Sequence, residues 1–100
     1  VNIVSSLIES AKMALRITTD AFDDEIMDLL DAGTKDLGLA GVDVPDEDDA
    51  LVKRALLTYV KMNFGQPDDY DRFKRSYDEQ KAQLSMATGY TTWRANNGQI

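Results

Sequence analysis

"ALLTYVKMNFGQPDDYDRFKRSYDEQKAQL" (residues 55–84) decides the fold. An apolar run at helical spacing reaches Asn63 and Phe64, breaks at Gly65, and restarts after Pro67 with Asp68, Asp69 and Asp71. Glycine adopts the left-handed conformation that closes a helix, and proline is tolerated at the first helical position because its missing amide hydrogen had no partner there. The stretch therefore predicts two helices joined by a tight turn, the second beginning at Pro67. Tyr70, Phe73, Tyr77 and Leu84 follow at heptad spacing, with the polar Gln80 at the position they skip. About two and a half heptads suit an ordinary helix packed on its predecessor better than a coiled coil, and one polar residue on the seam can set its register.

The helix before the break is predicted from about Glu47 to Phe64. Leu51, Val52, Ala55, Leu56, Leu57, Tyr59, Val60, Met62 and Phe64 cover about 240° of its circumference. Lys53, Arg54, Thr58 and Lys61 form a polar stripe that Leu57 interrupts. A helix this apolar is either central in its own fold or buried against a second molecule. Upstream, "IVSSLIESAKMALRI" places Ile3, Val4, Leu7, Ile8, Ala11, Ala14 and Leu15 within about 140°, with Met13 nearly opposite. "RITTD" breaks that helix and offers Thr19 or Asp20 as the next N-cap. A further helix is predicted from about Ala21 to Leu37, ended by Gly38 and Gly41. Its stripe contains Phe22, Ile26, Leu29, Leu30, Gly33 and Leu37, and the glycine within it implies close backbone approach to a neighbour, at about 1 kcal/mol of helix propensity. After Met86 the periodicity ends. The expected architecture is all-α: a single bundle of three to four helices over residues 1–86, with a short C-terminal tail over 87–100.

Composition narrows the chemistry. The 100 residues include no cysteine and no histidine. That excludes disulfides and thiolate sites, and removes the commonest general base and nitrogen ligand. Ser5, Ser6 and Ser10 stand on the polar side of the first helix with no base in register, and no glycine spacing matches a phosphate loop. No cofactor and no enzymatic activity are expected. The net charge is −7, and the acids cluster at Asp20–Glu25, Asp46–Asp49 and Asp68–Asp71, each at a predicted helix start. Carboxylates there meet orphan amide hydrogens and the positive end of the helix dipole. "DVPDEDDA" lacks the ligand register of a calcium loop, so capping explains it better than metal binding. "RFKR" (72–75) lies within i,i+4 reach of several acids and reads as a solvated face. No apolar run approaches the length of a membrane span and no signal-peptide pattern is present, so a soluble, cytosolic or soluble-assembly protein is expected. Tyr90 and Trp93 stand in a polar tail, where such rings fold back or anchor in a partner.

The order of these features resembles the all-α head–tail connector (adaptor) family of tailed bacteriophages. An N-terminal helix ending "ALRIT" leads into "DAFDDEIMDLLDAGTKDL", then a glycine turn and the acidic "PDEDDALVKRALLTYVKMNFG". "PDDYDRFKRSYDEQKAQL" and a short "TGYTTW" tail complete it. The resemblance implies a structural virion protein at the head–tail junction, assembled in the host cytoplasm. It implies a homo-oligomeric ring of about a dozen subunits beneath the portal protein. Such a ring extends the DNA channel, lets DNA pass without specific binding, and docks tail or stopper proteins. On this basis Leu57, Phe64, Tyr70 and Tyr77 are candidate oligomer-interface residues, and Tyr90, Trp93 and Arg94 a candidate portal-contacting tail. The alternative is a small helical DNA-binding or regulatory module, because a short glycine turn between helices also suits helix-turn-helix proteins. Against it, the second helix would present "PDDYD" to phosphate.

Overall fold

One helix touches all the others. The computed structural model describes residues 3–42 and 49–87, and of residues 3–6 the backbone only. It contains α1 (Ile3–Leu15), α2 (Asp23–Leu39), α3 (Ala50–Asn63) and α4 (Tyr70–Met86), with no strand among the described residues. α3 packs on α1, α2 and α4. Val52, Ala55, Leu56 and Val60 are 1% exposed or less, and Thr58 and Met62 are buried beside them. Most of the wide apolar arc of α3 is therefore consumed inside its own chain, with Leu51 and part of Leu57 left outward. Thr58 departs from the expected polar stripe, and its hydroxyl is satisfied by donating to the Arg54 carbonyl at 2.9 Å.

Contacts set the helix directions. Phe22 meets Phe64 edge-on at 5.6 Å, while Gly33 lies against Leu56 and Tyr59, so α2 and α3 run antiparallel. Tyr59 meets Tyr77 edge-on at 5.2 Å, and Lys61 reaches the Phe73 ring, so α3 and α4 are antiparallel as well. Ile26, Leu30 and Leu37 of α2, Leu7 and Ala11 of α1, and Tyr77 and Leu84 of α4 complete the core. Each large aliphatic side chain buried this way contributes about 1.5–3 kcal/mol.

The helix ends depart from expectation in instructive ways. α3 begins after Asp49, whose carboxylate accepts from the Leu51 and Val52 amides at 2.9 and 3.1 Å. The expected start at Glu47 falls outside the described residues. α2 begins at Asp23 rather than Ala21, and neither Thr19 nor Asp20 caps it. Asp20 and Asp23 instead hold Lys12 of α1, at 2.7 and 3.0 Å, with the Lys12 side chain only 7% exposed. The Asp20 bond, then the Asp23 bond, raise the Lys12 pKa against the opposing pull of burial. A buried cation is tolerated because it is paired. α1 closes on Arg16 in the left-handed region (φ 62°), with the Ile17 amide donating to the Lys12 carbonyl at 2.9 Å. α2 runs through Gly38 and closes the same way on Gly41. Pro67 precedes α4 by a turn instead of opening it, and Asp69 spends its carboxylate on Arg72 at 3.0 Å.

One polar lock ties α4 to α2. The Tyr77 hydroxyl and the Lys81 ammonium both donate to Asp36 Oδ2, the latter at 3.1 Å. Burial pushes the Asp36 carboxyl up, but the bonds from Tyr77 and Lys81 outweigh it and hold it below its ordinary value. Burial first, then Asp36, raises the Tyr77 hydroxyl, which stays a donor.

Two predictions follow from this packing. A Cβ at Gly33 would stand 3.1 Å from both Leu56 and Tyr59, which are wedged against the core. A Cβ at Gly38 would meet nothing within 4 Å. Gly33→Ala should therefore lose about 1 kcal/mol, overpacking outweighing the helix-propensity gain, whereas Gly38→Ala should gain about 0.5–1 kcal/mol. Urea midpoints of the two variants moving in the same direction would refute the close approach. The Asp36 lock should appear in acid unfolding. A depressed carboxyl contributes stability above its unfolded pKa and loses it as pH falls through its folded pKa. Asp36→Asn should flatten the stability profile below the ordinary carboxylate range, and Tyr77→Phe should cost about 1–2 kcal/mol near neutral pH. An unchanged acid limb in Asp36→Asn would remove the lock from the account.

Candidate assembly surfaces

Nothing among the described residues assembles catalytic chemistry. Titratable groups from different helices converge in two places, Lys12 with Asp20 and Asp23, which holds α1 to α2, and Asp36–Tyr77–Lys81, which holds α4 to α2. No group of three or more carboxylates gathers as a metal site among the described residues. A surface depression beside Met13, Arg16 and Ile17 is open to solvent. No described helix is long and apolar enough to cross a membrane.

The four residues expected at an oligomer interface do not form one face. Tyr77 is 2% exposed and bonded to Asp36, so it belongs to the subunit's own core and has no surface to offer a neighbour. This corrects its expected role: heptad spacing marks the buried seam against α3. Leu57 is half-buried, packed along the edge of the core with part of its surface outward. Phe64 is half-buried under Phe22. Tyr70, the first residue of α4, is 41% exposed at the same end of the bundle. Tyr90, Trp93 and Arg94 lie outside the described residues.

Other apolar side chains stand out more. Met13 is 78% exposed, Leu39 89% and Met86 69%. The antiparallel order puts the end of α2, the start of α3 and the end of α4 together, so Leu39, Leu51 and Met86 share the end from which residues beyond 87 continue. The spacing pattern had marked only Met13 as outward. Leu39 and Met86 were hidden because each closes its helix, where periodicity no longer assigns a face.

Charge is segregated between helices. α2 carries six acids and one base, Lys35. α3 carries Lys53, Arg54 and Lys61 and no acid. None of those three basic residues has an ion pair among the described residues. Within "RFKR", by contrast, Arg72 pairs with Asp69 at 3.0 Å and Lys74 with Asp78 at 2.8 Å, as expected of a solvated helix face.

The described residues thus offer exposed apolar side chains at the bundle ends and charge segregated between helices. No curated protein and no solved structure gives a significant match. A family model does: the model described as phage connector protein matches residues 7–91. That span runs from within α1 through the end of α4, so all four helices are represented and the match does not rest on one motif. The chain belongs to the phage connector protein family, a bacteriophage structural component of the virion.

Proposed function

We propose that the chain is a head–tail connector subunit that joins a ring of about a dozen copies beneath the portal protein. The ring extends the DNA exit channel and gives tail or stopper proteins a docking surface. Assembly takes place in the host cytoplasm. The observation that carries this reading is the family match over residues 7–91, which takes in part of α1 and all of α2, α3 and α4.

Several physical features support it. A subunit of this kind needs a rigid body, and the central α3, the Gly33 contact and the Asp36 lock supply one. It needs outward apolar contacts, and Leu39, Leu51, Met86, Phe22 and Tyr70 are available. It must let DNA slide, and a net charge of −7 repels phosphate where a basic wall would grip it. Tyr90, Trp93 and Arg94 would make a portal-contacting arm, and Leu57, Phe64 and Tyr70 would contribute to subunit contacts. The helix-turn-helix alternative has no support in the structure, because α4 opens with Tyr70 and Asp71 behind Asp68 and Asp69.

Mixing the purified chain with a portal protein of the same phage should produce a complex whose light-scattering mass exceeds the portal's by many subunits. The free chain should show no salt-sensitive retention of duplex DNA at physiological ionic strength. Failure to associate with portals, together with sub-micromolar duplex binding, would replace the connector reading with the DNA-binding one.

A further inference from the structure

α2 and α3 carry matching patterns of opposite charge on their outward faces. At about 100° per residue, Asp24, Met27 and Asp31 fall within about 60° of one another on α2, away from the buried Ile26, Leu30 and Leu37. Arg54, Leu57 and Lys61 fall within about 60° on α3, away from Val52, Ala55 and Leu56. Both triplets have the spacing i, i+3, i+7, and each sets one apolar residue between two charges. Met27 is 37% exposed, and Leu57 is half-buried with its outer side free. Among the described residues Asp24 makes no ion pair, and Asp31 makes only an exposed one with Lys35 at 3.4 Å. Arg54 and Lys61 make none among the described residues, although the Lys61 ammonium sits 5.9 Å from the Phe73 ring.

Within one chain the two triplets cannot meet, because α2 and α3 pack through their opposite, buried faces at Gly33, Leu56 and Tyr59. A second copy can bring them together. We infer that adjacent copies of this chain meet head to tail, with the Asp24–Met27–Asp31 face of α2 in one copy docked on the Arg54–Leu57–Lys61 stripe of α3 in the next. Two different faces of one subunit make this contact heterologous, and a heterologous contact repeats until it closes a ring or grows as a filament. Charge sets the pairing: acid-on-acid or base-on-base meetings are repelled, so α2 selects α3. Met27 and Leu57 supply the apolar centre, ringed by the four charges, and the Leu57 surface left outside the core gains a use. This inference rests on the ring reading and specifies which faces form the ring.

The absence of native cysteine makes the contact addressable by crosslinking. The double variant Met27→Cys/Leu57→Cys, assembled with portal protein and then oxidised, should give a non-reducing ladder extending well beyond dimer. Met27→Cys or Leu57→Cys alone should leave monomers, since neither position faces its own copy. The charge test is independent. Arg54→Glu/Lys61→Glu and Asp24→Lys/Asp31→Lys should each keep helical content by circular dichroism and each fail to assemble. An equal mixture of the two should recover assembly, because acidic and basic faces alternate again around the ring. That recovery also excludes misfolding as the cause of either failure. Wild-type assembly without a ladder in the double variant, or ladders from a single variant, or no recovery in the mixture, would overturn the α2–α3 contact while leaving the ring intact. Wild-type chain that never assembles, alone or on portals, would overturn the ring and this contact together.

Discussion

The approach of α2 to α3 at Gly33 governs the rest of the bundle. With no Cβ in the way, Leu56 and Tyr59 settle against bare helix backbone, and α3 can lie deep enough to be reached from three sides. Tyr59 is then held edge-on to Tyr77, and Tyr77 is held under Asp36. One missing methyl group is thus the first step of a chain of contacts from α2 through α3 to α4 and back to α2. The same arrangement fixes where polar groups can go. α3 retains only a narrow outward strip, and its three cations are confined there, while α2 turns Asp24, Glu25, Asp28 and Asp31 outward on the opposite side of the shared seam.

The distribution of ion pairs follows from that geometry. Pairs within the chain are local in α2 and α4, joining residues three or four apart, such as Asp31 with Lys35 and Lys74 with Asp78. Exposed pairs of this kind contribute about 0–1 kcal/mol each. The longer-range pairs are those of Lys12 with Asp20 and Asp23, and of Lys81 with Asp36; Lys12 is buried, Asp23, Asp36 and Lys81 are partly withdrawn from solvent, and Asp20 alone stays exposed. Lys12 clamps the α1–α2 connection, and Lys81 clamps α4. The strip on α3 is left with no acid of its own helix within reach.

Much of this was legible in the sequence, for identifiable reasons. Four helices follow from apolar spacing, and Gly33 declared a close approach because a glycine inside a buried stripe has no other packing use. Asp49 and Gly65 do what capping chemistry expects, the one accepting two amides and the other adopting φ 64°. What sequence could not resolve was competition for the same side chain. Asp20 and Asp23 stand where caps belong, but a buried Lys12 takes them, and proximity of that kind exists only after α1 and α2 fold back. Arg16 adopts a left-handed conformation that its residue type disfavours by about 1–2 kcal/mol, because the bonds closing α1 require it. The breadth of the α3 apolar arc left two explanations open, and only the neighbours on three sides decide for the interior. Tyr77 was misassigned to a surface for the same reason: heptad spacing marks a seam without saying which partner covers it. The alternation of charge between α2 and α3 was present in the residues but invisible while acids were read only as helix starters.

Weak, repeated contacts suit a part that must assemble only where it is needed. A face of two charge pairs and one apolar contact is small beside the roughly 800 Å² per partner of a stable interface. Free copies joined by such a face alone would separate readily. Held side by side on a template, the same contacts form within an assembly rather than between diffusing partners, and the effective concentration of neighbours rises to the millimolar range. Closing a ring adds a second contact to every subunit without adding a residue. In such a ring the exposed end bearing Leu39, Leu51 and Met86 would remain available for the template, being distinct from the two lateral faces proposed above. In the proposed ring, a rigid core, selective lateral charge and an apolar end would divide the work: the bundle would keep its shape, the sides would choose their neighbours, and the end would choose the place.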